Sequence, residues 1–258
     1  MKEDYKRKRI AISLMFLFFV PSFSPGGEAR TYTTNFPGTE NPISENGKWM
    51  NGRSIGLDWA DASTVPGHAF GRQTGSNGYD DSTALLQGVW AANQSVTATV
   101  FSRNQEGGNV YEEVEIRLRS SLSPRRCTGY EILFRCLKNS DSYAQIVRWN
   151  GPLGSFTYLA DEKGAKCAIS NGDVVKATII GNVITAYINN VRVAQATDDT
   201  YSSGSPGMGF FLQGASAVNR DYGFSSFTAS DEPDSGSEGS EGDSHRCPRR
   251  LEQEEGRH

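Results

Sequence analysis

The chain has 258 residues, 36% hydrophobic and 22% charged, with 28 Gly and a formal net charge of −4. That apolar share is too small for a multi-span membrane protein and too large for a wholly disordered chain, while the length suits one large all-β domain. Residues 31–230 carry 16 basic and 18 acidic side chains, a near-neutral body that excludes nucleic-acid binding driven by charge.

At the N-terminus, Lys2, Lys6, Arg7, Lys8 and Arg9 precede an apolar run of eleven residues, 10–20. The run is short of the roughly 20 residues a spanning helix needs. Gly27 and Ala29 supply the small residues of a cleavage point after Ala29. Residues 1–29 are expected to be a signal peptide, an uncleaved anchor being the alternative. Either way the body lies outside the cytosol, in the extracellular or periplasmic space, and the mature form has no membrane contact.

The following stretch alternates with period two. Val114, Ile116 and Leu118 point one way, and Glu113, Glu115, Arg117 and Arg119 the other. Tyr130, Ile132 and Phe134 alternate in the same manner with Glu131, Leu133 and Arg135. Residues 174–180 are continuous and rich in β-branched side chains, as in a strand. Residues 184–188 and 191–196 flank Asn189-Asn190, whose side chains tolerate the positive φ of a type I′ hairpin turn. Gly151, Gly154, Gly172, Gly181 and Gly204 punctuate these runs at sandwich-like intervals. No window shows a clean 3.6 period, so the chain is expected to be an all-β antiparallel sandwich over residues 30–230. From residue 231 the acidic, Gly/Ser-rich sequence has no apolar anchor to offset its ordering entropy, and a disordered tail over 231–258 is expected.

Three segments carry a resemblance. NFPGTENPISENGKW (residues 35–49) is similar to an opening strand-and-turn of secreted jelly rolls. GDVVKATIIGNVITAYINNVRVAQATD (172–198) resembles their three-strand run, and SPGMGFFLQG with DYGFSSFTAS (205–214 and 221–230) their closing pair. Together they resemble the concanavalin A-like lectin/glucanase superfamily, in particular its laminin-G-like branch. The resemblance implies two packed sheets, one curved, with ligands on the concave face or its rim. Members include lectins, glycoside hydrolases, polysaccharide lyases and adhesion modules, so fold does not choose function.

Glu113, Glu115, Arg117 and Arg119 form the densest polar row, all on one sheet face. Such a row either grips sugar hydroxyls or a uronate, with Arg offering bidentate geometry, or is a solvated face of weak cross-strand ion pairs. Laminarinase-like hydrolases carry Glu-x-Asp-x-Glu on one strand. Glu113 and Glu115 fill its first two places, but Arg117 stands where the acid/base carboxylate belongs, and retaining hydrolysis needs two carboxyl groups about 5 Å apart. For a lyase, Arg117, Gln145 and Arg148 could neutralise a uronate, and Tyr130, Tyr143 or Tyr187 could act as base. His68, within VPGHAFG, reads as a surface loop residue.

Trp149, beside the Asn150-Gly151-Pro152 turn, offers a ring face to a pyranose, with Gln145 and Arg148 near its hydroxyls. Trp59, Trp90 and Tyr158 lie near strand ends or loops, and Trp49 and Trp90 read as core. Asp58, Asp61, Asp80, Asp81, Asp198 and Asp199 sit in loop-like contexts, which keeps calcium as a candidate cofactor although their spacing is not diagnostic. Oxidation is permitted in an exported chain. A Cys136–Cys167 disulfide is expected from their shared sheet end, unless a bend returns Cys127 to Cys136. Asn93-Gln94-Ser95 is a glycosylation acceptor in a eukaryotic secretory route. The first functional reading is a secreted, monomeric, carbohydrate-binding module for a polysaccharide or glycan, using Glu113, Glu115, Arg117, Arg119, Gln145, Arg148 and Trp149. A polysaccharide-degrading enzyme (lyase before hydrolase) and an adhesion domain are the alternatives.

Overall fold

The computed structural model describes residues 29–56, 58–75, 78–103, 110–214 and 217–231. Residues 1–28 of the expected signal peptide (1–29) and residues 232–258 of the expected tail (231–258) lie outside the described residues. Two antiparallel sheets face each other. One runs β13 (Val191–Thr197), β12 (Val183–Ile188), β11 (Val174–Ile180), β6 (Gln94–Ser102), β15 (Tyr222–Ser230), β4 (His68–Phe70) and β3 (Ser63–Val65), with β1 (Thr31–Thr34) also on β15. The other runs β10 (Phe156–Lys163), β9 (Tyr143–Gly151), β8 (Arg126–Arg135), β7 (Tyr111–Ser123), β14 (Ser205–Gln213), β5 (Ser82–Leu86) and β2 (Trp49–Asn51). This is the expected jelly-roll sandwich.

Alternation sets which face of each strand is inside. Val114, Ile116 and Leu118 of β7 and Tyr130, Ile132 and Phe134 of β8 are wholly buried between the sheets. They pack with Val175, Ala177 and Ile179 of β11 and with Phe224 and Phe227 of β15. Each such aliphatic or aromatic side chain withdrawn from water contributes about 1.5–3 kcal/mol, offset by the entropy of ordering it. Asn189 and Asn190 take φ of 49° and 65°, so the β12–β13 turn has the expected left-handed pair.

The termini of the domain are tied together. Asp231, at the sequence boundary of the tail, is buried; its carboxylate accepts from the backbone N–H groups of Arg30 (2.5 Å) and Ala91 (2.9 Å). The hydrogen-bonded domain therefore runs through residue 231. Among the described residues no helix is long and apolar enough to cross a membrane.

Candidate functional site

The outer face of the seven-stranded sheet collects the residues of the opposite phase. Across it, Arg117 of β7 stands opposite Glu131 of β8, Glu115 opposite Leu133, and Glu113 opposite Arg135. Leu133 in turn lies opposite Gln145 of β9, and Trp149 of β9 opposite Phe156 of β10. Half of this face is roofed. The segment after β2 lays Ile55 and Trp59 against Leu85, Leu122, Cys127 and Trp149, a second apolar cluster outside the main core. Trp59 meets Trp149 edge-on at 5.4 Å, and Trp149 meets Phe156 at 5.3 Å.

Under that roof the polar row is not a solvated face. Arg117 is 0% exposed and Glu115 is as deeply buried. The Arg117 guanidinium bridges three carboxylates: Nη2 to Glu115 Oε2 at 2.6 Å, Nη1 to Glu131 Oε2 at 2.6 Å, and Nη2 to Asp81 Oδ2 at 3.3 Å. Trp149 Nε1 donates to Glu131 Oε2 at 2.5 Å. Gly209 of β14 makes room, because a Cβ there would stand 2.1 Å from Glu115 Oε2. Burial, then the neighbouring Glu131, pushes the Asp81 and Glu115 carboxyl groups well above the usual range. Burial alone would lower the Arg117 pKa, but Glu131 and Glu115 outweigh it and raise it. A charge pair this deep persists only when each member is matched. Glu115 Oε1 is nevertheless buried without a hydrogen-bond partner.

Where the roof ends, a cavity of about 580 Å³ opens, within the range of small-molecule sites. Glu113, Glu115 and Glu131 form its floor, with Tyr143 and Gln145 from β9. Tyr143 donates to Glu113 Oε1. Burial raises the Glu113 pKa to about 7 against that hydrogen bond, and burial followed by Glu113 pushes the Tyr143 hydroxyl above its ordinary value. Tyr143 is thus a donor, and its shift runs against use as a base. On one wall Phe156 sits between Tyr79 (5.0 Å) and Tyr158 (5.4 Å), whose rings are half exposed at 50% and 55%. Arg135 packs on Tyr111 at 4.4 Å and donates to the backbone carbonyls of Asp141 and Val110.

Of the seven binding residues expected from sequence, Glu113, Glu115, Gln145 and Trp149 line this cavity. Arg117 lies beneath it. Trp149 is buried, so it backs the aromatic wall and offers no open stacking face. Arg119 leaves the row, because a bulge between Leu118 and Ser121 reverses the alternation and Arg119 takes φ of 44°. Its guanidinium donates to the carbonyls of Ala92, Tyr201 and Gly181. Arg148, of opposite phase to Gln145, pairs with Asp198 at 2.5 Å. Sequence reasoning overlooked Asp81 and Glu131 as partners of Arg117, and Tyr79, Arg135 and Phe156 as walls. Arg135 and Glu131 were visible in the β8 alternation, whereas nothing local connects Asp81 to Arg117.

Three further expectations change. His68 is on a strand, not a surface loop: it is buried on β4, with its Nε2 3.1 Å from the Tyr222 carbonyl and its ring on Phe101. Cys127, Cys136 and Cys167 are all free and buried, so the expected Cys136–Cys167 disulfide is not formed. The sulfurs turn to different partners, Cys167 to the Glu162 carbonyl (3.4 Å) and Cys136 to Ser102. Oxygens of Asp81, Glu115 and Glu131 lie within 4.8 Å of one another, an acidic group that could hold a cation. The guanidinium of Arg117 already fills that role, and a divalent ion beside it would be repelled, so these residues do not fit calcium. Among the other loop acids, Asp58 is engaged by Arg125, Asp61 by the Arg53 N–H, Asp80 by Gln73 and Asp198 by Arg148.

No family model and no curated protein matches the chain. Among solved structures, the potassium-bound carbohydrate recognition domain of Emp46p is similar over 77% of this chain and 95% of its own, at 12% identity and a TM-score of 0.50. The carbohydrate-binding module CBM66 from Bacillus subtilis is similar over 67% of this chain and 96% of its own, at 17% identity and a TM-score of 0.47. The chain has a two-sheet jelly-roll fold like that of the Emp46p domain. At these identities the likeness fixes the fold and leaves function to the site.

Proposed function

We propose that the domain binds a saccharide noncovalently in the cavity on the outer face of the seven-stranded sheet. The observation that carries this reading is the Tyr79–Phe156–Tyr158 wall beside a hydrogen-bonding floor. A pyranose has an apolar C–H face and a hydroxyl rim, and this cavity offers a surface for each. Gln145 and Tyr143 present amide and hydroxyl groups toward the rim. The fold is shared with the Emp46p carbohydrate recognition domain, which supports the reading. Export of the mature domain to the extracellular or periplasmic space belongs to the same proposal.

The test is a glycan array followed by titration calorimetry with Tyr158→Ala. Half-exposed Tyr158 contributes little to the core, so the variant should keep its melting temperature. Its affinity should fall by about 1–2 kcal/mol, the scale of one lost aromatic contact. A glycan bound equally well by both proteins would place its site elsewhere.

A further inference from the structure

The cavity floor gathers more buried carboxyl groups than guanidinium groups. Among the described residues, Asp81, Glu115 and Glu131 pair with the guanidinium of Arg117, while Glu113 accepts from Tyr143 and stands across the strands from Arg135. Arg135 directs two of its N–H groups to backbone carbonyls. At the rim, Asp161 and Lys163 pair with each other at 3.0 Å and cancel. Independently of this count, Glu115 Oε1 is fully buried in the cavity floor and has no hydrogen-bond partner. An unmatched buried carboxylate oxygen is costly unless a proton or a cation reaches it.

We infer that the floor receives the ammonium group of an amino sugar, a hexosamine unit without its acetyl group, held between Glu113 and Glu115 Oε1. The inference rests on the saccharide reading above and narrows its ligand class. Glu113 and Glu115 are two residues apart on one strand face, their Cα atoms about 7 Å apart along β7, and one ammonium with three donors can join carboxylate oxygens up to about 6 Å apart. A divalent ion would need six to eight oxygens, whereas here Glu115 Oε2 is taken by Arg117, and Glu131 Oε2 by Arg117 and Trp149. A uronate carboxylate would face Glu113 at close range and be repelled. The same aromatic wall serves the C–H face of the ring whichever substituent sits at the floor.

Calorimetry on the full chain at pH 7 tests this with a glucosamine tetramer, its N-acetylated counterpart and a galacturonate tetramer. The glucosamine chain should bind about ten-fold tighter than the N-acetylated one, the scale of one hydrogen bond to a charged group, and the galacturonate chain should not bind. Glu113→Gln should bring the ratio of the first two close to one. Should that variant not fold, repeating the wild-type titration in buffers of different ionisation heat gives a second readout, because an arriving ammonium expels protons from the floor. Equal or tighter binding of the N-acetylated chain, still lost in Tyr158→Ala, overturns the amino-sugar inference and leaves the saccharide reading standing. Absence of binding to any glycan overturns both.

Discussion

Replacing Arg117 by Met removes the single cation beneath Trp149 while keeping most of the side-chain volume. Three carboxyl groups would then lie with oxygens within 4.8 Å of one another and no counter-charge. Breaking a buried ion pair from one side costs about 3–5 kcal/mol, because the partner is left charged or must take up a proton. For a domain of this size that corresponds to a melting temperature lower by about 10 °C. The loss should depend on pH. Without Arg117 the carboxyls are more easily protonated, so protonation at pH 5 relieves part of the repulsion and the gap from wild type narrows. Urea denaturation followed by circular dichroism at pH 5 and pH 7.5 measures both quantities. A loss below about 1 kcal/mol at pH 7.5 is what an exposed ion pair gives, and it would refute the buried cluster.

Other consequences follow from the same geometry. The folded-state pKa of Glu113, about 7 through burial, lies above that of the unfolded chain, so the native state holds the proton more tightly. Its contribution is present in full below about pH 4.5 and is lost as pH rises towards 7, a decline of at most about 3 kcal/mol that Glu113→Gln should flatten in melts from pH 5 to 8; an unchanged slope would locate the titration elsewhere. Gly209→Ala puts a Cβ against Glu115 Oε2 and should cost about 1–3 kcal/mol in urea unfolding, whereas a neutral result would mean that the carboxylate moves freely. Cys127 is pushed up to about 12 by burial, and Cys136 is raised for the same reason. Both thiols, with Cys167, should resist alkylation in the native protein and react after denaturation; a mass 2 Da lighter per pair, with no labelling, would restore the disulfide.

What alternation could disclose, it disclosed. The phase of β7 and β8 separates Val114, Ile116 and Leu118 from Glu113, Glu115 and Arg117 because successive side chains must point to opposite faces. The Asn189-Asn190 turn was readable because few residues accept two consecutive positive φ values. Alternation cannot say what lies above a face. Trp59 and Asp81 come from segments far from β7 in sequence, and they convert an apparently solvated row into a buried cluster. Nor does period two announce its own interruption at Arg119. A signal was present in the glycines: a Cβ at Gly129 would stand 2.5 Å from Ser120 Cα, and one at Gly204 would stand 2.4 Å from the Arg119 carbonyl carbon. Both glycines back onto the bulge, but only the pairing reveals what they back onto.

The ion cluster also bears on the choice between binding and hydrolysis. A retaining mechanism needs two carboxyl groups about 5 Å apart, one ionised and one ready to donate a proton. On β7 the third position that would carry the acid is Arg117, and its guanidinium draws Glu115 and Glu131 to itself. Glu131 is held a second time by Trp149 Nε1. Glu113, raised to about 7, is protonatable near neutrality, but its neighbours on the floor are bound to Arg117 and not poised beside a scissile bond. A floor fixed in this way is suited to holding a ligand in one orientation. The roof formed by Trp59 acts to the same end, since it keeps water from Arg117 and so keeps the charges beneath the cavity strong and immobile. Opening it with Trp59→Ala should therefore loosen the cluster and weaken ligand binding together, although Trp59 does not line the cavity.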